Sequence, residues 1–373
     1  MNFMPSRNVH LVGSVPLANA HEVFVTVSAA LGPRLLRIPD GETGERIDWI
    51  AHLEPLFANH PALEKSDEVF RLHPTAPGRT RYRLKPGALE AGVTFGNLFY
   101  ADVAIRSYQD FARLKQQGKI PAHCRFQVDL VPAHSVIWLF LQDNLHRAFD
   151  PIYNDAVRRE IDKLAESIPH EELAIQFDVA SAVFARLQRN EPNAYGRNKD
   201  EMLEAFGAIL GKLADHVPGD IELLFHFCYG DSNHRHVVEP IDMGDMVDLA
   251  NRLAGGINRS IELIHMPVPR DRSDDAYFAP LTPQAEAGHA TLSWSRALHG
   301  RDRGHAPPPR HGGKICEKLL DRDGMRVRPA AAGDYIWAVG NSRRCGGVTT
   351  ADAPRSRVVH GRIRCDDTPD PCR

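Results

Sequence analysis

The amino-acid sequence predicts an α/β fold of the (β/α)8 TIM-barrel type whose last two strands are missing. Over the first 280 residues, short and nearly continuous apolar runs alternate with amphipathic helical stretches. Such runs indicate parallel strands that are covered by helices on both faces. Polar side chains of catalytic type follow several of the runs, where barrel enzymes carry their active sites. We count six strand candidates, two fewer than a closed barrel needs.

The first β/α unit opens the chain. Its strand candidate is 9–14, and the helix after it is predicted to begin at Asn19, whose short polar side chain is a preferred N-cap. Gly32 lies where this helix is predicted to end. The helix has four apolar residues on one face: Val23, Phe24, Val27 and Leu31.

The other five strand candidates are apolar runs bounded by turn residues. They are 35–38, 126–131, 173–179, 221–228 and 260–266. Helical periodicity between them is clearest over 202–213 and 246–253. A turn signal at Pro77 and Gly78 predicts an inserted hairpin at about 70–83.

We therefore predict two segments, an incomplete barrel domain at 1–281 and a tail at 282–373 without a stable domain of its own. The tail has a triple proline at 307–309, many arginines, and no helical or strand period. That composition is typical of disorder. However, Trp294, Trp337 and four cysteines are unusual in a disordered segment.

Composition limits the classes of function. The chain has 373 residues, 43% of them apolar and 25% charged, with a net charge of −3. A net charge this small favours neither nucleic acid nor an anionic membrane as a partner. The first residues lack the apolar core of a signal peptide, so we expect a cytoplasmic protein. Cys124 and Cys228, the two cysteines before residue 280, do not make a disulfide framework; each is predicted to be an inert core residue or a metal ligand.

The strongest local signal lies at the end of the 221–228 run. His226 and Cys228 are two residues apart, so on a strand their side chains lie on the same face. Imidazole and thiolate are good zinc ligands. The alternative interpretation is a core histidine beside a buried free cysteine.

Acidic residues in neighbouring strand candidates favour the metal interpretation. Glu262 lies in the run after His226 and Asp178 in the run before it, and we expect both acids at the carboxyl-terminal ends of their strands, where barrel active sites lie. A carboxylate is costly to bury unless it is paired or bound to a metal. For Asp178 the alternative is an N-cap of the following helix.

Five motifs, in order along about 250 residues, resemble the zinc-binding barrel of the cobalamin-independent methionine synthases, and the resemblance is closest to the short, single-barrel relatives. Val12-Gly13-Ser14 with Pro16 is similar to that family's opening Gly-Ser-x-Pro. Gly41-Glu42, followed by Arg46 and Asp48, resembles its Gly-Glu segment. The other three motifs are 175–178, similar to Ile-Asp-Glu-Pro although Val179 replaces the second acid; 226–229, similar to His-x-Cys; and 261–262, similar to the third ligand.

This resemblance implies a function and a set of site residues. The implied activity is that of a 5-methyltetrahydropteroyltriglutamate–homocysteine S-methyltransferase in methionine biosynthesis, with zinc bound by His226, Cys228, Glu262 and one further cysteine. Val12, Ser14, Glu42 and Asp178 would bind the amino-acid part of a thiol such as homocysteine, Asp178 as a catalytic residue as well. The methyl donor would be a small molecule such as a folate.

The family's fourth ligand is a cysteine in the eighth strand, within Thr-Glu-Cys-Gly, and its seventh strand reads Leu-Gly-Leu-Val-His. Neither string occurs here. Both become possible when the codons of 292–304 and 314–328 are read from their second base, with the cysteine arising from the codons of Met325 and Arg326. Our hypothesis is a frameshift near residues 281–283, which the coding DNA would test.

This hypothesis has a physical consequence. Without strands seven and eight the sheet would keep two unpaired edges. We therefore expect the chain as written to be poorly soluble and inactive. Two alternatives remain open at this stage: a uroporphyrinogen-decarboxylase-like enzyme that uses no zinc, and a non-catalytic remnant.

Overall fold

A parallel sheet with helices between its strands forms the centre of the protein. The computed structural model describes residues 8–230, 236–269 and 272–281, with the backbone of three later strands. The strands are β1 (Asn8–His10), β2 (Arg37–Pro39), β3 (Leu63–Phe70), β4 (Arg79–Leu84), β5 (Arg125–Leu130), β6 (Leu173–Val179), β7 (Glu222–Phe227), β8 (Leu263–Val268), β9 (Leu292–Arg296), β10 (Ile336–Val339) and β11 (Ser356–Val358).

The helices lie between the strands. They are α1 (Ala20–Leu31), α2 (Glu54–Ala58), α3 (Tyr100–Gln116), α4 (Ala133–Phe140), α5 (His146–Ser167), α6 (Ser181–Arg189), α7 (Lys199–His216), α8 (Gly244–Gly256) and α9 (Asp275–Phe278). In the part of the chain that the structure describes, no helix has the length and apolarity needed to cross a bilayer.

The order of strands confirms the predicted α/β class. In the main sheet β2, β5, β6, β7 and β8 are parallel neighbours in chain order, interrupted only by the β3–β4 hairpin. β1 joins this sheet through a parallel bridge between Val9 and Leu35. We had expected the edge of β8 to be unpaired. Instead, β9 pairs with it in parallel. β10 pairs antiparallel with β9, and β11 pairs with β1, so the described strands do not form eight parallel ones.

The parallel sheet is curled as in part of a barrel. β1 and β8 lie five strand positions apart, which is roughly 24 Å in a flat sheet at the usual spacing. Yet the ring centroids of His10 and His265 are 6.3 Å apart. Similarly, His10 on β1 donates a 3.0 Å hydrogen bond to Gln176 on β6. Only a sheet that bends back on itself brings these side chains together.

Alternation along the strands separates an outer apolar face from an inner polar one. Ile175 and Phe177 of β6 and Phe225 of β7 are fully buried in the core formed with the helices. On the inner face, Glu222 at the start of β7 pairs with Arg37 of β2. The next inner side chains toward the carboxyl ends of the strands form a small apolar cluster of Ala174, Leu224 and Leu263. The inner side chains nearer the carboxyl ends are mostly polar: His10, Gln127, Asp129, Gln176, Asp178, His226 and His265.

Element boundaries agree with the sequence where capping residues or sharp ends define them. Asn19 caps α1 by accepting a 3.0 Å hydrogen bond from the Glu22 amide, and Gly32 ends it at a φ of 36°. The predicted hairpin bounds of 70–83 were wrong at the first strand: the antiparallel pair spans 63–84, and Phe70 ends β3. The predicted 282–373 tail lies outside the described residues except for the three strand backbones.

Candidate active site

The predicted site residues converge at the carboxyl ends of the parallel strands, with one exception. Val12 and Ser14 follow β1, Glu42 follows β2, and Asp178 is the penultimate residue of β6. Cys228 directly follows β7, and His226 lies within it. The exception is Glu262, which is treated below.

The loops after β1 and β2 are joined by a hydrogen bond. The Ser14 hydroxyl donates to the Glu42 carboxylate. Glu42 itself has a φ of 50°, a left-handed conformation that is uncommon for residues other than glycine. Such strain is typical of functional sites. Arg46 pairs with Asp40 at 2.6 Å, whereas the side chain of Asp48 lies outside the described residues.

Two glycines let these loops pack closely, Gly13 against β5 and Gly41 against α1. A Cβ on Gly13 would lie 2.8 Å from Asp129 Oδ2 and 3.4 Å from Glu42 Oε2. At Gly41, whose φ is 84°, a Cβ would lie 2.6 Å from a methyl group of Val23. The two carboxyl groups therefore lie against the bare backbone of Gly13.

Buried amides hold the Val12 backbone in place. The Gln176 side-chain amide donates to the Val12 carbonyl at 2.6 Å and to Asp178 Oδ1 at 2.9 Å. Gln127 donates to the Leu11 carbonyl at 3.0 Å and to Asp129 Oδ1 at 2.9 Å. The same two amides thus position both the loop after β1 and the acids on β5 and β6.

Three carboxyl groups share this end of the sheet. Burial first, and then the negative charges of Asp178 and Glu42, raise the pKa of Asp129 well above its ordinary value. Burial also raises the pKa of the Tyr100 hydroxyl, and the negative charges of Glu42 and Asp178 add to this increase. A cation placed among Glu42, Asp129 and Asp178 would relieve this repulsion.

On the neighbouring strands the site carries nitrogen and sulfur donors. His226 and His265 occupy paired positions of β7 and β8, and their Nδ1 atoms are 2.6 Å apart. Both rings are buried, His265 completely. Cys228 Sγ accepts a hydrogen bond from the Gly230 amide at 3.2 Å. Asp178 lies opposite His226 in the register between β6 and β7.

The expected position of Glu262 at the end of its strand was wrong. β8 begins at Leu263, and the Glu262 amide donates to the Leu223 carbonyl near the start of β7. Glu262 therefore lies at the amino-terminal end of the sheet, three residues before His265. The Ser260 hydroxyl donates to it at 3.2 Å, and its charge opposes the lowering of the Arg259 pKa by burial. The structure does not bring it together with His226 and Cys228.

The structure also bears on two other interpretations of the sequence, Asp178 as a helix N-cap and Cys124 as an inert core residue. Asp178 does not cap the next helix: α6 has Ala180 at its N-cap and no side-chain cap. Cys124 is buried, and burial raises the pKa of its thiol to about 12, as expected for an inert core cysteine.

The sequence-based prediction missed Asp129 and His265. Both signals were present, because Asp129 shares a strand face with Gln127, and His265 is a polar residue within an otherwise apolar run. A separate cleft of about 560 Å³ lies between α5 and α7, and it is lined by Arg147, Arg158 and Lys212 among others. None of the site residues above line that cleft, so the chemistry described here does not depend on it.

The donor types present fit zinc only in part. Imidazole and thiolate at one sheet end are suitable ligands. Among the described residues, however, no group of three or more His, Cys, Asp or Glu side chains is arranged as a ready metal site. His226 and His265 converge as a pair, and Cys228 lies on the same strand face as His226.

Comparison with known proteins adds no family assignment. No protein-family model matches the chain, and no curated protein matches it. The methionine-synthase resemblance therefore rests on the sequence motifs alone.

Proposed function

We propose that the carboxyl-terminal end of the sheet is the site of a zinc-dependent, methionine-synthase-like transfer of a methyl group to a thiol such as homocysteine. The observation that supports this most is the proximity of two sets of groups at one sheet end. Glu42, Asp129 and Asp178 form an acidic set, and His226 and Cys228, at the end of β7, form a donor set.

The acidic set suits the ammonium group of an amino-acid substrate. Burial, and then the negative charges of Asp178 and Glu42, raise the pKa of Asp129, and a bound cation would favour the ionised carboxyl groups. Ser14 orients Glu42 through their hydrogen bond, and Gln176 orients Asp178. The Val12 carbonyl, fixed by Gln176, is a further acceptor that faces the same region.

His226 and Cys228 would hold the zinc. When bound, zinc supplies a Lewis acid that keeps a thiol substrate ionised at neutral pH. In this class of reaction the substrate sulfur loses its proton, a sulfur–carbon bond forms, and the methyl group leaves its donor without the bonding electrons. The chain's own residues bind and orient the amino-acid part so that its sulfur lies toward His226 and Cys228.

We propose further that the chain as written does not turn over. The sequence strings that carry the family's last two strands and fourth ligand are absent, as the frameshift hypothesis explains. Restoring the frame after Leu281 is expected to give an active enzyme. We expect the protein to act in the cytoplasm, where Cys124 and Cys228 stay reduced.

Ligand binding to the full chain tests the proposed function without needing turnover. We expect L-homocysteine to bind more tightly than 4-mercaptobutanoate, which lacks the ammonium group, by about tenfold or more, equivalent to about 1.4 kcal/mol. Asp178→Asn should reduce this preference, with Asp155→Asn on the exposed face of α5 as control.

Equal affinity for the two thiols, measured by calorimetry, would contradict the proposed substrate class. Absence of both zinc and thiol binding would favour the decarboxylase-like or non-catalytic alternatives. Methyl transfer by the frame-restored chain, but not by the chain as written, would support both parts of the proposal.

A further inference from the structure

We propose that the cleft between α5 and α7 binds an elongated organic anion that carries a negatively charged group at each end. The cleft has a volume of about 560 Å³, which is within the range of small-molecule sites. It lies in the helical layer, and the residues of the candidate active site do not line it. The inference is therefore independent of the proposed function.

The two helices run side by side in the same direction. α5 leads into β6 and α7 leads into β7, and these two strands are parallel. Toward the end of both helices, His216 of α7 and Asp162 of α5 form a 2.8 Å hydrogen bond. Lys212 and Arg158 line the cleft, and each lies one helical turn before a member of this pair. They therefore lie opposite each other across the cleft.

Cationic side chains lie at both ends of the cleft. Arg158 and Lys212 line one end, and Arg147 lies three turns earlier on α5, roughly 16 Å along the helix axis. Arg197, just before the start of α7, lines the same end as Arg147 because both helices begin there. Between the two ends, both helices contribute apolar lining residues: Pro151, Ala205 and Ile209.

The cations at each end are available to a ligand. In the part of the chain that the structure describes, Arg147 and Lys212 make neither an ion pair nor a side-chain hydrogen bond. Arg158 pairs within its own helix, and Arg197 pairs with Glu201. Both of these pairs are partly exposed, and such pairs contribute little to stability. An anionic group at either end would therefore meet one unpaired cation and one weakly paired cation.

Asp150 is an acidic residue in the floor of the cleft, but its charge is shielded from a ligand. The residue is only 4% exposed. Its carboxylate accepts hydrogen bonds from the Tyr195 hydroxyl at 2.9 Å and from the Asn154 amide at 2.7 Å. The buried guanidinium of Arg186 lies 5.2 Å from the centre of the Tyr195 ring and partly offsets the negative charge. Asp150 therefore fixes the floor of the cleft.

These features define the chemistry of the ligand. Guanidinium and ammonium groups bind carboxylates and phosphates through charge-assisted hydrogen bonds. The apolar middle favours a hydrocarbon chain between the two anionic groups, because a charged group placed there would lose its hydration without a partner. A small inorganic anion would contact only one end of the cleft. The competing explanation is that the cations are ordinary solvated surface charges.

Calorimetric titration of the full-length protein with dodecanedioate tests the proposal, because this probe has a carboxylate at each end of an extended chain. The matched probe is ω-hydroxydodecanoate, which has the same length and one charged end. We expect dodecanedioate to bind at least about fivefold more tightly than the hydroxy acid. The α,ω-bisphosphate of the same chain distinguishes the end groups: tighter binding than that of dodecanedioate indicates phosphate ends, and weaker binding indicates carboxylate ends.

Substitutions at the two ends locate the bound ligand. Lys212→Ala and Arg147→Ala should each weaken dodecanedioate binding by about fivefold, whereas Lys212→Arg should retain it. The matched control is Lys119→Ala, at an exposed position that does not line the cleft. Ala205→Trp should prevent binding by filling the middle of the cleft without changing any charge. Far-ultraviolet circular dichroism of each variant monitors the fold.

Two results would overturn the proposal. Equal affinity for dodecanedioate and ω-hydroxydodecanoate, or no binding of either, would mean that the cations are solvated surface charges. Equal weakening by Lys119→Ala and Lys212→Ala would mean that the probe is attracted to the protein surface in general. Neither result affects the proposed function, because that function depends on residues at the carboxyl-terminal end of the sheet.

Discussion

At the scale of single residues, the site depends on close contacts that small side chains permit. Gly13 has the carboxyl groups of Asp129 and Glu42 against its Cα. Glu42 keeps an unfavourable left-handed backbone while accepting the Ser14 hydroxyl. A conformation that costs on the order of 1–3 kcal/mol persists only where its surroundings enforce it.

Gly13→Ala is expected to disturb the acidic set. The added methyl group would lie 2.8 Å from Asp129 Oδ2, so the carboxyl group must move. We expect affinity for L-homocysteine to fall about tenfold, while the unfolding free energy falls by about 1 kcal/mol. Gly219→Ala is the matched control, because its Cβ meets no atom within 4 Å. Equal affinities of the two variants, measured by calorimetry, would show that the contact does not matter.

Asp129 gives the site a predictable pH dependence. Its pKa is raised in the folded protein, first by burial and then by Asp178 and Glu42, so the native state binds a proton more tightly than the unfolded state. The contribution of Asp129 to stability is therefore greatest at low pH and decreases as the pH rises above the unfolded value of about 3.9. Asp129→Asn should remove this decrease and stabilise the protein at pH 7.

The measurement is urea unfolding of both proteins from pH 4 to 7.5. Asp220→Asn is the control of opposite sign, because a hydrogen bond with His170 lowers the pKa of that exposed carboxyl group. A difference between Asp129→Asn and the unchanged protein that does not grow with pH would rule out the effect.

At the scale of elements, the sequence predicted some boundaries well and others poorly, for physical reasons. β6 matches its predicted bounds because all seven of its residues are buried. β3 was missed because its alternating polar residues form one face of an exposed hairpin. β8 extends through Pro267, although proline usually ends a strand. The strand was therefore predicted too early in the chain, at 260–266, and Glu262 was expected at the wrong end of the sheet.

The β3–β4 hairpin is anchored by one buried arginine. Arg81 donates to Glu68 at 2.7 Å and to the Trp138 carbonyl of α4, and its guanidinium lies 4.0 Å from the centre of the Phe70 ring. Arg81→Met should lower the unfolding free energy by about 2 kcal/mol, since it removes the charge-assisted hydrogen bonds of a buried guanidinium group.

Arg83→Met, on the exposed side of the same strand, is the control, because its pair with Glu64 is worth at most about 1 kcal/mol. Limited proteolysis would show whether Arg81→Met exposes the turn at 71–78 first. Equal stability of the two variants would mean that the hairpin is held by its apolar contacts alone.

At the scale of the whole molecule, the curled sheet separates two environments. The outer face is apolar and packs against helices, while the inner face holds ion pairs near its amino end and the candidate site at the other end. Charged and titratable groups are not confined to the inner face, however. The helical layer buries two histidines, His134 at the start of α4 and His146 at the start of α5.

These histidines should make the fold labile to acid. Burial, and then the charge of Arg186, lowers the pKa of His134 to about 3 and that of His146 to about 4. The unfolded chain binds protons at these residues below about pH 6.5, and the native protein does not. The free energy of unfolding therefore falls as the pH drops from 6.5 toward 4, by at most about 3 kcal/mol for each histidine.

His134→Leu separates this contribution from that of the acids. Its ring lies 5.4 Å from the Phe206 ring, and neither ring nitrogen has a hydrogen-bond partner among the described residues, so an apolar replacement is tolerated at pH 7. Between pH 4 and 6.5, the unfolding free energy of the variant, measured in urea, should lose the part of its pH dependence that comes from the uptake of up to one proton on unfolding. His123→Leu, at an exposed position, should leave that dependence unchanged. Parallel stability curves for His134→Leu and the unchanged protein would show that His134 is protonated in the native state as easily as in the unfolded chain.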